Sequence, residues 1–388
     1  MSPGVKEKWL VHFSGDDWWQ SNPHSRHHIT FQFQKAGYNV LWINPMGLRF
    51  PSFKKKGFAK KIFNKIKSIL RALIKISPGF YVYTFIFLPV FKRGLVERLN
   101  ARFVDLQLRV VFRLLGIDGA VAFVTLPTFA PVVRRAKLAG RFRAVIYYYS
   151  DQYDQYREIT DRKPILEWDL MLQEDADAIY CASEAIMESV DPEIRAGKTV
   201  KVIEHQVDFE HFDYKNLDDV ARDIHAPVIG YFGSLTDSND WGMIEHAAKA
   251  RPDWKFVFLG NKRIALPELE ALPNVEFRGF VSYQDLPREA AGFSVGIMFW
   301  KMTDWIRACS PLKLKEYLAL GLPVVSVPID EVVNKYSNYV HFASTPDEFV
   351  EAVERALQDT NREERRDYVK QFSWKAATRE IMTDCGLN

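Results

Sequence analysis

The sequence has few cysteines and an unusually long stretch without acidic residues. No aspartate or glutamate lies between Asp17 and Glu97, whereas residues 18–96 hold 14 lysines and arginines in a chain with a net charge of +3. This block is therefore strongly cationic and the remainder is acidic on balance, which predicts an anionic partner for the block. The three cysteines are scattered, with neither metal-site spacing nor a disulfide framework.

The sequence also lacks a long apolar run and any low-complexity tract. Its apolar run at residues 80–90 is too short to span a bilayer, and it predicts a strand or a shallow insertion. The first residues contain no apolar core of a secretory signal, so we expect a cytoplasmic location. With 47% apolar and 26% charged residues over 388 positions, the composition predicts a globular protein of two domains.

Strand and helix signals alternate through the first half of the chain. A strand at 8–13, a helix at 25–36 and a strand at 39–43 predict the opening of a doubly wound α/β domain. Further strands are predicted at 121–125, 145–149, 178–181 and 199–203.

The alternation restarts near Pro227. A second set of short apolar strands, several of them followed by glycine, predicts another Rossmann-like unit; these strands lie at 228–232, 254–259, 275–278, 294–299 and 323–327. We therefore predict an N-terminal domain at 1–208, a linker at 209–226, a C-terminal domain at 227–365 and a final helix at 366–388.

The segment SPLKLKEYLALGLPVVS, at 310–326, predicts a short helix that ends at Gly321 and leads into a buried strand. Lys313 and Glu316 are three residues apart, so they project from one side of this helix. A cation beside a helix N-terminus suits a phosphate, and a carboxylate one turn later can accept bonds from a ribose diol. The alternative is a surface ion pair on an ordinary helix.

Five segments resemble the GT-B glycosyltransferases, in particular the group-4-like bacterial enzymes that build capsular, exopolysaccharide or teichuronic-type polymers. They are EHQVDFEHF at 204–212, VIGYFGSL at 228–235, NVEFRGFVSYQDLP at 274–287, ACSPLKLKEYLALGLPVVS at 308–326 and FSWKAATREI at 372–381. The resemblance implies an α/β fold of two Rossmann-like domains facing across a cleft, with the last helix crossing back to the N-terminal domain. It also implies a nucleotide-sugar donor on the C-terminal domain.

Within this resemblance, Glu316 would hold the donor ribose and Lys313 the diphosphate. The donor-binding residues that it implies are Gly233, Ser234, Phe280, Val281, Arg307, Ser310, Pro311, Leu312, Lys313 and Glu316. The chain departs from the family pattern at three positions, where Ala308, Ser234 and Asn239 replace an acid, an arginine and a lysine. We therefore expect Lys313, Arg307, the backbone amides after Gly233 and the helix dipole to hold the diphosphate instead.

A catalytic base is expected from the N-terminal domain, at the carboxyl end of a strand. The strand at 145–149 leads to Ser150 and Asp151, and a glucuronosyltransferase of the xanthan-assembly type carries a similar serine-aspartate pair, whose aspartate is the base. Asp151 is thus the first candidate and Asp17 the second. The alternative for Asp151 is that it caps the next helix.

The acceptor-side candidates are Asp16, His24 and Arg26, near the end of the first strand. Metal binding by His24 and His28 is one alternative, and a cluster at a helix start that faces the cleft is a second, but plain surface exposure of these histidines is the simplest expectation. No metal or other cofactor is expected, because no Asp-x-Asp motif stands in a donor-site context.

The cationic block predicts a membrane-binding amphipathic helix within about 53–76. Apolar residues recur there at steps of three and four, and the basic residues take the other face. The residues assigned to the membrane are Lys54, Lys55, Lys56, Phe58, Lys60, Lys61, Ile62, Phe63, Lys65, Ile66, Lys67, Ile69, Leu70 and Arg71. A solvated helix is the alternative, and nucleic acid is not expected as a partner because no recognised module is present.

Together these patterns predict a peripheral glycosyltransferase on the inner face of the cell membrane. It would move a sugar from a nucleotide diphosphate, uridine-linked by preference, to a lipid-linked saccharide or polysaccharide. The available Asp151 and the missing acid at Ala308 favour inversion of the sugar. The alternatives are an inactive membrane-associated scaffold and a nucleotide-sugar 2-epimerase of the same fold.

Overall fold

A computed structural model describes residues 7–19, 22–45, 72–86, 95–155, 162–217 and 226–387. The chain divides into an N-terminal unit, Met1–Ile203 with Thr378–Asn388, and a C-terminal unit, Glu204–Ala377. Each unit contains a mostly or wholly parallel sheet with helices between its strands, which confirms the predicted pair of Rossmann-like domains.

The N-terminal unit holds an eight-stranded sheet within its described residues. Its strands are β1 Trp9–Phe13, β2 Asn39–Ile43, β3 Leu73–Ser77, β4 Phe80–Tyr83, β5 Ala120–Val124, β6 Phe142–Tyr149, β7 Ala178–Cys181 and β8 Thr199–Val202. The spatial order is β3-β4-β2-β1-β5-β6-β7-β8, and β3 alone among these strands is antiparallel to its neighbour. The chain winds outward from β1 in one direction and then from β5 in the other, so the topological switch point lies between β1 and β5.

Helices connect these strands. Those of the N-terminal unit lie at Ser25–Lys35, Leu95–Leu115, Ala130–Leu138, Lys163–Asp175, Glu184–Glu188 and Pro192–Gly197. The strands β1 and β5 are buried along their whole length because helices cover the sheet, as continuous apolar runs such as WLVHF and AVAFV indicate.

The prediction of an amphipathic helix to about residue 76 is wrong for its last residues. Residues Leu73–Ser77 form a strand rather than the last turn of a helix, paired with β4 so that Ile74 faces Val82. The β-branched Ile74 and Ile76 favour this extended pairing. All fourteen residues assigned to the membrane, from Lys54 to Arg71, lie outside the described residues.

The C-terminal unit contains a six-stranded parallel sheet within its described residues. Its strands are β9 Val228–Phe232, β10 Lys255–Leu259, β11 Val275–Gly279, β12 Val295–Met298, β13 Val324–Ser326 and β14 Val340–Phe342. Their order is β11-β10-β9-β12-β13-β14, which places the switch point between β9 and β12. The helices lie at Phe209–Phe212, Trp241–Ala250, Pro267–Glu270, Leu286–Ala291, Asp304–Arg307, Leu312–Ala319, Asp330–Tyr336, Pro346–Leu357 and Arg362–Val369.

The last helix, Trp374–Asp384, begins in the C-terminal unit and ends in the N-terminal unit. Asp384 accepts hydrogen bonds from the Tyr180 hydroxyl at 3.1 Å and from the Lys201 ammonium at 2.8 Å. The Tyr38 hydroxyl donates to the carbonyl of Leu387 at 2.8 Å. The end of the chain is therefore fixed to β7, β8 and the start of β2.

Candidate functional site

The helix Leu312–Ala319 is packed tightly beneath the C-terminal sheet. Tyr317 is fully buried, and its hydroxyl accepts a hydrogen bond from the backbone N–H of Phe232 at 3.3 Å. Gly296 of β12 leaves room for this ring, because a Cβ there would lie 2.7 Å from Tyr317. Gly321, with a φ of +67°, ends the helix as predicted.

Two glycines bring the loops after β9 and β10 together. Gly233 follows β9 with a φ of +140°, and Gly260 follows β10 with a φ of +145°. A Cβ on Gly260 would lie 1.8 Å from the carbonyl oxygen of Gly233, so only glycine fits this approach. A Cβ on Gly233 would lie 3.2 Å from the Lys313 Nζ, which places this lysine over the end of β9.

The Lys313 ammonium lies against two aromatic rings near the switch point of the sheet. It donates a hydrogen bond to the Tyr231 hydroxyl at 3.1 Å, and it lies 4.5 Å from the Tyr231 ring centroid and 4.4 Å from that of Trp300. No ion pair involves Lys313 in the described part of the chain. Its remaining donors can therefore serve an anionic ligand. Sequence reasoning missed both aromatic residues, although each stands at or just beyond the end of a strand that flanks the switch point.

Glu316 lies one turn further along the same helix and is 6% exposed. No hydrogen bond to its carboxyl group occurs among the described residues. Burial raises the pKa of Glu316 to about 8; the Lys313 charge opposes this shift and Asp208 adds to it. Such a group lacks the hydrogen bonds that a buried carboxylate needs, and a ligand carrying hydroxyl donors would supply them.

The predicted hinge and base-binding segments meet beside Glu316. The His211 ring stacks on Tyr283 with centroids 4.6 Å apart, and its Nε2 lies 2.8 Å from the Tyr283 carbonyl oxygen. Asp208 and Glu316 both raise the pKa of Tyr283, after the larger effect of burial. The hinge motif thus contributes to the surroundings of Glu316.

The other predicted donor residues are placed less closely around this pair. Phe280 is 59% exposed and Val281 half-buried in the loop after β11, while Ser234 is exposed. Arg307 lies 3.6 Å from Asp330 in an exposed ion pair. Three others line the start of the helix, namely the buried Ser310 and the half-buried Pro311 and Leu312.

A buried charge cluster on the opposite side of the helix was not predicted. Lys315, 2% exposed, donates to the Glu204 carboxylate at 2.8 Å and to the His205 carbonyl at 2.6 Å. Lys335 and the Tyr336 hydroxyl each donate to Glu204 at 2.9 Å. Burial alone would raise the pKa of Glu204, but Lys315 and then Lys335 hold it at about 2. This cluster fixes the helix to the start of the unit.

In the N-terminal unit, Asp16 and Arg26 meet at the switch point between β1 and β5. The Arg26 guanidinium lies 2.9 Å from the Asp16 carboxylate and donates to the Ser150 hydroxyl at 3.1 Å and to that of Tyr153 at 3.3 Å. Burial would raise the pKa of Asp16, but Arg26 and two histidines lower it overall. The Gly15 N–H donates to the Thr125 hydroxyl at 3.0 Å, which joins the loops after β1 and β5.

Asp151 is half-buried directly after Ser150 at the end of β6, where it raises the pKa of Tyr153 after the larger effect of burial. A 3-10 helix follows at Tyr153–Gln155, and the next α-helix of the described residues begins at Lys163. Asp17 instead accepts a hydrogen bond from the Trp19 N–H at 3.0 Å within its own loop.

The expected exposure of the histidine cluster holds for His24 but was wrong for His27 and His28. His27 and His28 are 3% and 7% exposed because their helix turns them toward the sheet, and burial lowers the pKa of His27 to about 3. The His24 N–H donates to His27 Nδ1 at 3.1 Å, which caps the helix. The described residues contain no group of three or more side chains that could hold a metal ion. In the same residues, no helix combines the length and apolar character that crossing a membrane requires.

Comparison with known proteins finds a family match within the C-terminal unit. Residues 226–359 match the family described as glycosyl transferases group 1. The Bacillus subtilis (strain 168) protein TuaH, named as a teichuronic acid biosynthesis glycosyltransferase, is 29% identical over 273 residues. This match covers 66% of the chain but 64% of TuaH, which is less than two thirds of that relative.

Solved structures show the same fold over nearly the whole chain. Sucrose-phosphate synthase from Thermosynechococcus elongatus aligns with a TM-score of 0.69 at 13% identity, over 97% of this chain and 98% of its own. The E. coli trehalose-6-phosphate structure bound with UDP-2-fluoro glucose gives 0.68 at 11% identity, over 97% and 99%. Anabaena HepE, in complex with UDP and glucose, gives 0.64 at 16% identity, over 98% and 99%. The shared fold is GT-B.

Proposed function

We propose that this chain moves a sugar from a nucleotide-diphosphate donor to a saccharide acceptor. Its GT-B fold and the match of residues 226–359 to the group 1 glycosyl transferases support this proposal. The observation that carries the proposal is the pair formed by Lys313 and Glu316 at the switch point of the C-terminal sheet. A partner for a diphosphate and a buried acceptor for hydroxyl groups stand there one helical turn apart.

The donor is a uridine-diphosphate sugar in this proposal. The E. coli and Anabaena structures hold UDP derivatives on the same fold, which supports uridine. The ribose hydroxyls donate to the Glu316 carboxyl group, and the diphosphate binds Lys313 and the amides that follow Gly233. Each charge-assisted bond of this kind contributes about 1.5–3 kcal/mol.

The acceptor binds the N-terminal unit, where Asp151 acts as the base. Its carboxylate removes the proton of the acceptor hydroxyl as the oxygen bonds to the anomeric carbon of the sugar. The bond from that carbon to the diphosphate breaks, and Lys313 stabilises the charge that develops on the departing diphosphate. This displacement inverts the anomeric configuration. No metal ion takes part in the proposed step.

The acceptor is a lipid-linked saccharide or polysaccharide at the cytoplasmic face of the membrane. The name of TuaH, which refers to teichuronic acid biosynthesis, supports a polymer product. The cationic block of residues 18–96 supports an anionic membrane surface, to which each lysine or arginine adds about 1 kcal/mol.

A panel of nucleotide sugars tests the proposal by thermal shift and by release of the nucleotide diphosphate, with and without EDTA. We expect UDP sugars to stabilise the chain and Glu316→Gln to abolish this, whereas the exposed Glu354→Gln should not. Asp151→Asn should lower turnover about 100-fold or more while leaving UDP binding intact. The neighbouring Asp154→Asn serves as its control.

Three results would contradict the proposal. Absence of both nucleotide binding and turnover would favour an inactive scaffold. Release of a 2-epimer from the donor without any acceptor would favour an epimerase. Loss of turnover in EDTA, restored by a divalent cation, would overturn the metal-independent step.

A further inference from the structure

We propose that the exposed face of the helix Leu95–Leu115 is a docking surface for an anionic lipid membrane. Twelve large apolar side chains are exposed in the described residues, and five of them lie on this one helix. Their exposed fractions range from 46% to 71%, and they are Leu99, Phe103, Leu106, Val110 and Leu114. Single exposed apolar residues are ordinary, but a contiguous row of them indicates an interaction surface.

The spacing of these residues produces a continuous stripe, called here the apolar stripe. Successive residues of a helix are turned by about 100°, so the five residues fall within an arc of roughly 80°. Ile86, 42% exposed, extends the stripe at one edge, because its backbone N–H and carbonyl bond the Gln107 side chain at 2.9 and 2.6 Å. The buried Val104, Leu108 and Val111 hold the other side of the helix in the core.

The opposite edge of the apolar stripe is cationic. Arg102, Arg109 and Arg113 are exposed and fall within an arc of roughly 40° beside it. Arg109 pairs with the buried Asp105 at 2.8 Å, and no ion pair of Arg102 or Arg113 occurs among the described residues. An apolar row bordered by arginines is the arrangement of helices that lie in the plane of a membrane interface, with the apolar side chains at the acyl boundary and the cations at the phosphates.

The charges favour lipid over two other occupants, a second copy of this helix and residues 51–71 of the chain. From residue 99 to residue 115, the exposed side of the helix carries no acidic side chain, so a second copy docked through the same face would bring no anion to the arginines. Residues 51–71 would not complement the arginines beside the apolar stripe either, because they contain basic residues and no acidic ones. Anionic lipid headgroups complement the arginines, and the acyl region receives the apolar stripe.

Flotation with vesicles tests this surface in the full-length chain. We compare Leu106→Gln/Val110→Gln with Leu166→Gln/Leu170→Gln, a matched pair of exposed leucines four residues apart on the helix Lys163–Asp175. On vesicles of phosphatidylcholine with phosphatidylglycerol, the first variant should bind at least about tenfold more weakly than wild type, and the control should bind equally well. Vesicles of phosphatidylcholine alone should bind wild type weakly, and Arg102→Gln/Arg113→Gln should reduce binding to mixed vesicles to that level.

The same variants are also measured in a chain whose lysines and arginines at 54–71 are replaced by glutamine, so that this segment cannot mask the result. Melting curves and UDP binding establish that each variant is folded. The biological purpose of this surface rests on the proposed function, but because vesicle binding is measured separately from UDP binding, either proposal can fail without the other. Unchanged vesicle binding by Leu106→Gln/Val110→Gln in both backgrounds would overturn the proposal. A lipid-free dimer that this variant dissociates would do the same, because the stripe would then bind a second copy.

Discussion

The two sides of the helix Leu312–Ala319 differ in whether their buried charged groups have partners within the protein. On one side, Lys315 is fully paired, and its partner Glu204 is held ionised by two lysines and a tyrosine hydroxyl. On the other side, Glu316 is buried to a similar degree, yet no hydrogen bond to its carboxyl group occurs among the described residues. The pKa of Glu204 is lowered to about 2, whereas burial raises that of Glu316 to about 8.

This difference separates a structural role from a ligand-binding role. The protein supplies every partner of the paired side, so that side can hold the helix in place before any ligand arrives. The unpaired side costs free energy in the ligand-free chain, because a buried carboxyl group either stays neutral or lacks hydrogen bonds. Such a cost is expected where a ligand completes the site.

The largest effect is expected from breaking the paired side. Lys315→Met leaves Glu204 buried with one lysine fewer, and we expect it to lower the free energy of unfolding by about 3–5 kcal/mol. Urea titration followed by tryptophan fluorescence measures this loss, with the exposed Lys370→Met as control. Adding Glu204→Gln should recover part of it. A loss no larger than that of the control would show that the paired side does not stabilise the helix.

The second prediction concerns the pH dependence of the unpaired side. The folded pKa of Glu316 lies above its unfolded value of 4.5, so its neutral form is favoured in the fold. Between pH 4.5 and about 8 the folded chain keeps this proton, whereas the unfolded chain has released it. The wild type should therefore lose stability across this range relative to Glu316→Gln, by on the order of 5 kcal/mol in total. Urea titrations of both proteins across this range measure the difference. A difference that does not change with pH would contradict the raised pKa.

Local sequence signals were sufficient to place Lys313 and Glu316 on one side of the helix, but they did not reveal the paired side. Lys313 and Glu316 could be predicted because three-residue spacing and the glycine stop are properties of one short segment. The partner of Lys315 lies 111 residues away, at Glu204, and a lysine between a leucine and a glutamate of a helix gives no sign that it is buried. The same limit applies to Trp300, since only the sheet order brings it beside Lys313.

For the fold as well, local sequence signals predict some elements but not those that depend on distant pairing. Strands such as Asn39–Ile43 and Val228–Phe232 match their predicted bounds because an apolar run between turn residues is a strong local signal. The apolar periodicity predicts a helix up to about residue 76, but Leu73–Ser77 is a strand because its pairing with β4 determines its conformation.

The third prediction replaces the cation of the unpaired side. Lys313→Met should lower the free energy of unfolding by only about 1 kcal/mol, because it removes the hydrogen bond to Tyr231 and two aromatic contacts but no ion pair among the described residues. It should weaken UDP binding by at least about tenfold through loss of a charge-assisted contact to phosphate. Calorimetric titration with UDP and with uridine distinguishes the two parts of the ligand, since uridine binding should change little. Equal losses for both ligands would place Lys313 away from the diphosphate.

The smallest effect is expected from the Tyr231 hydroxyl, which accepts the hydrogen bond of Lys313 at 3.1 Å. Tyr231→Phe keeps the ring 4.5 Å from the ammonium but removes this bond, so the lysine is less firmly oriented. UDP affinity should fall only about two- to fivefold, because the lost bond orients the ammonium and does not itself contact the ligand. Tyr180→Phe, which removes a hydroxyl bonded to Asp384 in the other unit, is the matched control and should leave UDP affinity unchanged. If Tyr231→Phe weakened UDP as much as Lys313→Met does, the hydroxyl itself would have to contact the ligand, and the lysine would no longer be the principal partner of the diphosphate.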